Sequence, residues 1–139
     1  AELCLFLASR SQHLQEIILP ALQKGTVVLC DRFNDSSIAY QGSGRELGVD
    51  QVKSLCNTIC NNICPDLTFY LDLSPKEGLK RIKEAHDRIE SEEQSFHQKV
   101  RQGYLTLAEK EPSRIKVLDA TLSKEEVFEN AKKQLDSCF

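Results

Sequence analysis

The sequence contains no methionine, no tryptophan and no long apolar run, and each absence narrows its interpretation. No apolar stretch approaches the ~18–20 residues that a membrane-spanning helix needs, so no membrane contact is expected. The formal net charge of -3 argues against sequence-independent nucleic-acid binding, which needs a basic face. Because methionine is missing, we expect a piece of a longer protein rather than a chain that lost only its initiator. Its 139 residues are enough for a single domain, expected over residues 1–139.

Six cysteines raise the question of a metal site or of disulfides. Cys56, Cys60 and Cys64 recur every four residues, which places them on one face of a predicted helix. No histidine stands at a ligand-like spacing from them, so packing is favoured over a metal or redox site. The scattered remaining cysteines indicate reduced thiols and a cytoplasmic protein.

Apolar runs alternate with helical periods along the chain, which predicts an α/β fold with a parallel sheet and flanking helices. Strands are predicted at residues 26–30, 67–73 and 114–118. Helices are predicted at residues 3–23 and 49–64, from Ser74-Pro75 onwards, at about 94–111, and after a capping box that begins at Ser123.

The most informative segment is residues 26–42, in which Asp31 and Arg32 directly follow the first predicted strand. In open α/β sheets, ligands bind outside the carboxyl ends of the strands. A carboxylate and a guanidinium at that edge can hold a metal ion and a phosphate together. The alternative is a structural ion pair at a strand end.

A charged stretch of about residues 80–93 has two interpretations. It has no apolar stripe between Lys83 and Glu93, which is typical of a solvated helix face. The other interpretation is a lid that carries basic side chains over a phosphate ligand.

Several motifs, in their order and spacing, resemble those of the bacterial thymidylate kinases. They are Asp31-Arg32-Phe33 with Ala39-Tyr40-Gln41-Gly42, Pro65-Asp66-Leu67-Thr68, and the segments 5–10, 77–81, 87–90 and 117–121. The resemblance covers nearly the whole chain and corresponds to the carboxyl-terminal two-thirds of such an enzyme. It implies a P-loop NTPase-like fold of the nucleoside monophosphate kinase type, incomplete at its amino terminus. It also implies ATP-dependent phosphorylation of dTMP to dTDP, with Mg²⁺, in dTTP biosynthesis.

On the acceptor side, the resemblance implies that Phe6 stacks on the thymine ring, that Arg10 donates to its O4 and that Arg32 binds the acceptor phosphate. Asp31 would act near Mg²⁺, directly or through water. Without the resemblance, Phe6 in its apolar helix is an ordinary core residue. The remaining nucleotide contacts are assigned to Ser36, Ser37, Gln41 and Tyr40, the last packing against the deoxyribose.

On the donor side, the resemblance assigns lid functions to Arg81, Lys83 and Arg88, with Arg81 and Arg88 as catalytic residues near the transferred phosphoryl group. The turn Asp119-Ala120-Thr121 would border the adenine of ATP. Its alternative interpretation is an ordinary exit from a strand. The resemblance also implies a homodimer formed through helices, although core burial explains the same apolar faces.

The phosphate-binding loop G-x-x-x-x-G-K-[ST] that this family needs does not occur in the sequence. We therefore expect about 60–70 further amino-terminal residues in the intact protein, including a strand between the first two predicted here, and an inactive chain without them. Two other functions stay open. One is a deoxynucleoside kinase, and the other is a non-catalytic, truncated nucleotide-fold module.

Overall fold

The computed structural model describes residues 1–81, 89 and 92–138. The chain divides into two compact units, Ala1–Cys64 and Pro65–Phe139. The single domain expected over residues 1–139 stays a prediction. No helix in the described part of the chain is long and apolar enough to cross a membrane.

One continuous helical stretch opens the first unit and confirms the helix predicted at residues 3–23. It consists of α1 (Glu2–His13), a π-helical segment (Leu14–Ile18) and α2 (Leu19–Gln23). Pro20 accounts for the wide turn before it, because a proline ring collides with the carbonyl four residues earlier in a regular α-helix. In the wide turn, the backbone N–H of Leu19 donates to the carbonyl of Leu14, five residues back.

Residues 26–30, predicted as the first strand, do not form one. Val27 and Leu29 are 86% and 95% exposed. The sheet in the described ranges contains only β1 (Thr68–Asp72) and β2 (Ile115–Asp119). A strand needs a neighbour that satisfies its backbone N–H and C=O groups, and an apolar pattern does not supply that neighbour. The prediction of a strand here was therefore wrong.

Three helical segments complete the first unit: α3 (Asn34–Ser37), a second π-helical segment (Ile38–Gly44) and α4 (Val49–Ile59). Gly42 allows α4 to approach closely, since a Cβ at this position would lie 3.2 Å from the Cα of Val49. The close approach places the second π-helical segment directly against the start of α4.

The helix α4 ends earlier than the predicted residue 64. Asn61 and Asn62 have φ values of 52° and 57°, in the left-handed region that asparagine tolerates better than most residues. Cys64 therefore lies beyond the helix and is exposed, whereas Cys56 and Cys60 are buried. The packing role predicted for the three cysteines is correct for two of them, and the common helix face is wrong for Cys64.

The second unit is built on β1 and β2, which run parallel and pair in register from Thr68 with Ile115 to Asp72 with Asp119. Both strands were predicted, with bounds that differ by one residue at each end. The predicted helices are also confirmed, as α5 (Pro75–Arg81), α6 (Gln94–Lys110) and α7 (Lys124–Asp136). The predicted capping box, formed by Ser123 and Glu126, opens α7.

An arginine holds each end of the strand pair. At the amino end, Arg114 donates to Glu111 at 2.7 Å and to the hydroxyl of Thr68 at 3.1 Å. At the carboxyl end, Arg101 donates from Nε and Nη2 to the two carboxylate oxygens of Asp72, at 2.8 and 2.7 Å. The hydrogen bonds from Arg101 hold the pKa of Asp72 below its ordinary value of 3.8, although partial burial opposes this shift.

Replacing Leu14 by alanine in the full-length protein should lower the free energy of unfolding by about 2–5 kcal/mol. Leu14 is fully buried in a cluster with Ile18, Phe33 and Cys60, so the substitution leaves a cavity. Leu5→Ala is the matched control, since Leu5 is 72% exposed and its loss should change stability by less than about 0.5 kcal/mol. Urea denaturation measures both, and equal losses would contradict the assignment of this core.

The ion pair between Asp72 and Arg101 should make stability depend on acidic pH. Because folding lowers the pKa of Asp72, its contribution is complete above the ordinary value of 3.8 and is lost as pH falls through the lower, folded-state pKa. The unfolding free energy of the unmodified protein should therefore exceed that of Asp72→Asn at neutral pH, and the difference should shrink below about pH 4. A difference that grows on acidification would refute this assignment.

Candidate active site

The Asp31-Arg32 turn lies on the surface of the first unit and is anchored by the residue that follows it. Asp31 and Arg32 are exposed, whereas Phe33 is 9% exposed in the core cluster. Arg32 has a φ of 63°, an uncommon backbone conformation for a residue other than glycine. The thiol of Cys30 donates to the carbonyl of Arg32 at 3.5 Å. The tight turn thus leaves the acid and the base at the surface while the aromatic ring enters the core.

Arg32 contacts Tyr40, another residue that the resemblance selects. The guanidinium carbon lies 5.2 Å from the centre of the Tyr40 ring, within the range of a cation–π interaction. Tyr40 belongs to the second π-helical segment, a rare geometry that occurs often at functional sites. The contact holds the Arg32 side chain near the face of an aromatic ring.

Arg10 joins α1 to the same region. Its Nη1 donates to the hydroxyl of Ser37 at 2.9 Å, and its guanidinium lies 5.5 Å from the centre of the Phe33 ring. Ser37 is only 2% exposed. A guanidinium has five N–H donors, so Arg10 keeps donors for a ligand while this contact fixes its position.

Phe6 lies four residues before Arg10 on α1, and residues at that spacing share a helix face. The Phe6 side chain is 42% exposed, so it is not the core residue that an apolar helix suggests. Gln41 is 2% exposed and donates to Glu2 at 2.8 Å. Ser36 is partly exposed in α3.

Buried cysteine and asparagine side chains lie in the core of the first unit. The thiol of Cys60 donates to the side-chain oxygen of Asn34 at 3.3 Å. Burial raises the pKa of Cys60, and it raises the pKa of Cys56 to about 11. Both thiols therefore stay protonated at neutral pH and are poor nucleophiles, as expected for packing residues.

Asp31 is the candidate ligand for Mg²⁺. In the described parts of the chain, no group of three or more His, Cys, Asp and Glu side chains could hold a metal ion. Magnesium does not need such a cage, because it keeps several waters and often binds through one or two carboxylates and the phosphates of a substrate. An exposed carboxylate beside an arginine fits an ion that is shared with phosphates.

In the second unit, the turn after β2 is well defined. One carboxylate oxygen of Asp119 accepts from the backbone N–H of Thr121 at 2.8 Å and from its hydroxyl at 2.6 Å. These hydrogen bonds hold the pKa of Asp119 below its ordinary value. The N–H of Ala120 donates to the carbonyl of Asp72 at 2.9 Å, and its carbonyl accepts from Arg81 Nη1 at 2.9 Å.

The predicted lid is described only in part. Arg81 is exposed at the end of α5, where it contacts Ala120. Lys83 and Arg88 lie outside the described residues. Residues 31–41 with Phe6 and Arg10 thus form one cluster in the first unit, and residues 119–121 with Arg81 form another in the second.

The ion pair between Asp72 and Arg101 was not among the predicted site residues. A usable signal existed for Asp72, because it is the last polar residue of the strand predicted at 67–73, close to the strand end where ligands bind. Arg101 had no comparable signal, since it lies inside a helix and 29 residues from its partner.

Comparison with known proteins connects these clusters to a family. The thymidylate kinase profile matches residues 1–131. The chain is 49% identical to a thymidylate kinase of Protochlamydia amoebophila over 94% of this chain and 62% of the relative. It is 50% identical to one of Enterococcus faecalis over 92% of this chain and 62% of the relative. The chain thus spans about three fifths of these curated relatives. Because the profile covers almost all of the sequence, the chain belongs to the thymidylate kinase family.

Proposed function

We propose that the full-length protein transfers a phosphoryl group from ATP to dTMP, forming dTDP for dTTP biosynthesis. Membership of the thymidylate kinase family supports the reaction. The observation in this chain that carries the proposal is the pair of guanidinium groups held on aromatic rings, Arg10 on Phe33 and Arg32 on Tyr40. A nucleoside monophosphate offers an anion and a flat base, and these groups complement both.

Arg32 binds the acceptor phosphate in this proposal. Its side chain is exposed, and a guanidinium can donate two parallel hydrogen bonds to phosphate oxygens. The ring of Tyr40 restricts the guanidinium before the ligand arrives, which reduces the entropy lost on binding. Tyr40 also packs against the deoxyribose, where a 2′-hydroxyl would collide with it.

Phe6 and Arg10 bind the base in this proposal. The exposed ring of Phe6 supplies a stacking surface, and Arg10 supplies a donor for the O4 of thymine. Because cytosine carries an amino group where thymine has O4, a donor at this position disfavours cytosine. Ser36, Ser37 and Gln41 complete the nucleotide site, with the buried Ser37 acting through its hydrogen bond to Arg10 and the buried Gln41 through its hydrogen bond to Glu2.

Catalysis in this proposal is mainly positioning and charge neutralisation, since phosphoryl transfer leaves little covalent work for the protein. Asp31 would hold Mg²⁺, directly or through water. The ion, when bound, neutralises charge on the phosphate oxygens. Arg32 fixes the acceptor phosphate, and the aromatic contacts of Phe6 and Tyr40 fix the rest of the nucleotide.

The donor side is proposed to be the turn of residues 119–121, next to the adenine of ATP, with lid residues Arg81, Lys83 and Arg88 near the phosphates. Arg81 and Arg88 are proposed as catalytic residues. The proposal extends to a cytoplasmic homodimer.

Arg32→Ala should lower kcat/KM for dTMP by at least about 100-fold in the full-length enzyme, because the acceptor phosphate loses its bidentate partner. Lys24→Ala is the charge-matched control, since Lys24 is an exposed lysine at the end of the first helical stretch. Steady-state kinetics with saturating ATP measure both variants. Near-normal kinetics of Arg32→Ala would contradict the role proposed for Arg32.

The full-length protein should phosphorylate dTMP at least about 100-fold more efficiently than thymidine, because thymidine lacks the phosphate that Arg32 binds. Coupled assays with the two acceptors at equal concentration measure the ratio. A preference for thymidine would identify a deoxynucleoside kinase instead. Absence of both activities would favour the non-catalytic module.

A further inference from the structure

We propose that Arg101, through its ion pair with Asp72, positions the turn of residues 119–121 and thereby sets the affinity for ATP. Arg101 is a positioning residue in this inference, since it acts on the turn through Asp72. The inference rests on the proposed function, which assigns the adenine of ATP to that turn. All of the residues concerned belong to the second unit.

The ion pair joins α6 to the end of β1 with defined geometry. Arg101 uses two nitrogens for the two oxygens of Asp72, at 2.8 and 2.7 Å, which fixes orientation as well as distance. The side chains of Arg101 and Asp72 are only 30% and 18% exposed, so water screens this pair less than an ion pair at the open surface. The position of Asp72 is therefore tied to α6.

Asp72 transmits this position to the turn through its backbone. Its carbonyl accepts from the N–H of Ala120, at the point where the paired strands end. The carbonyl of Ala120 accepts from Arg81 on the other side. Both polar backbone groups of Ala120 are thus held by neighbours, one from β1 and one from α5. A shift of Asp72 would move the middle residue of the turn.

Arg101 also acts electrostatically, by neutralising a carboxylate at the strand ends. Asp72 and Asp119 are direct partners at the carboxyl end of the parallel strands. Two carboxylates in facing positions repel, and this repulsion opposes pairing at the strand ends. Arg101 neutralises Asp72, while Asp119 is satisfied by Thr121. Without Arg101, the negative charge of Asp72 would act on the residue that begins the turn.

A second contact keeps α6 in place when the ion pair is removed. Tyr70 of β1 stacks on Tyr104 of α6, with ring centres 4.5 Å apart and planes inclined by 12°. The stack does not involve the Arg101 side chain, although the hydroxyl of Tyr70 also donates a hydrogen bond to Asp72. Loss of the arginine should therefore disturb the turn without detaching the helix. The effect on ATP can therefore be separated from unfolding.

The test uses three variants of the full-length enzyme. Arg101→Ala should raise KM for ATP about tenfold, with KM for dTMP changed by less than about twofold, because the donor side is misplaced and the acceptor side is not. Arg101→Lys keeps the charge but loses the second hydrogen bond, so it should recover part of the affinity. The matched control is Arg114→Ala, which removes the arginine at the opposite end of the same strands.

Arg114→Ala should lower the thermal unfolding midpoint while KM for ATP stays within about twofold of the unmodified value, since the turn lies at the other end of the sheet. An unchanged KM for ATP in Arg101→Ala would overturn the inference, as would an equal increase in Arg114→Ala.

Calorimetric titration with ATP separates this inference from the proposed function. An unmodified protein that binds ATP but does not phosphorylate dTMP refutes the proposed function, and weaker ATP binding by Arg101→Ala still supports the inference. Failure of the unmodified protein to bind ATP refutes both.

Discussion

Burial of the Phe33 side chain is the constraint on which the cluster of residues 31–41 with Phe6 and Arg10 depends. Arg32 occupies a left-handed backbone conformation that costs about 1–3 kcal/mol and persists only where the surroundings enforce it. Burying a phenylalanine ring contributes about 1.5–3 kcal/mol, which is of the same size. The ring of Phe33 packs with Leu14 and Ile18, so the helical stretch that follows α1 supplies the enforcing surface. The exposed Asp31-Arg32 pair is thus held by a hydrophobic contact beside it.

The fold could be predicted from the sequence where local signals decide the outcome. Ser123 and Glu126 are three residues apart and form a capping box without help from distant residues, and α7 begins as predicted. The strand predicted at residues 26–30 was wrong because a strand needs a second segment to pair with. The apolar pattern describes only the first segment. The end of α4 was predicted wrongly at residue 64, because the left-handed Asn61 and Asn62 end the helix earlier.

The candidate site could be predicted in part, for a related reason. The strand-end rule selected Asp31 and Arg32 although residues 26–30 do not form a strand. The family resemblance selected the other residues of the cluster. The structure brings two pairs of these residues into contact, Arg10 with Ser37 across 27 residues of sequence and Arg32 with Tyr40 within one segment. The partner of Asp72 could not be found by pattern, because a helical arginine carries no local mark of the carboxylate that it will bind.

The arginines in these contacts perform roles that lysine could fill only in part. Arg10 donates to Ser37 through one edge while its planar group lies over Phe33, and Arg101 uses two nitrogens on one carboxylate. A lysine ammonium is a compact point charge without a flat face, so it cannot stack on an aromatic ring and donate in-plane hydrogen bonds at the same time. It also holds its hydration shell more tightly than a guanidinium does. Each contact therefore requires the shape of the guanidinium in addition to its charge. The weaker hydration of the guanidinium also explains why partly buried arginines are tolerated beside aromatic rings. A lysine ammonium would lose more hydration free energy at the same position.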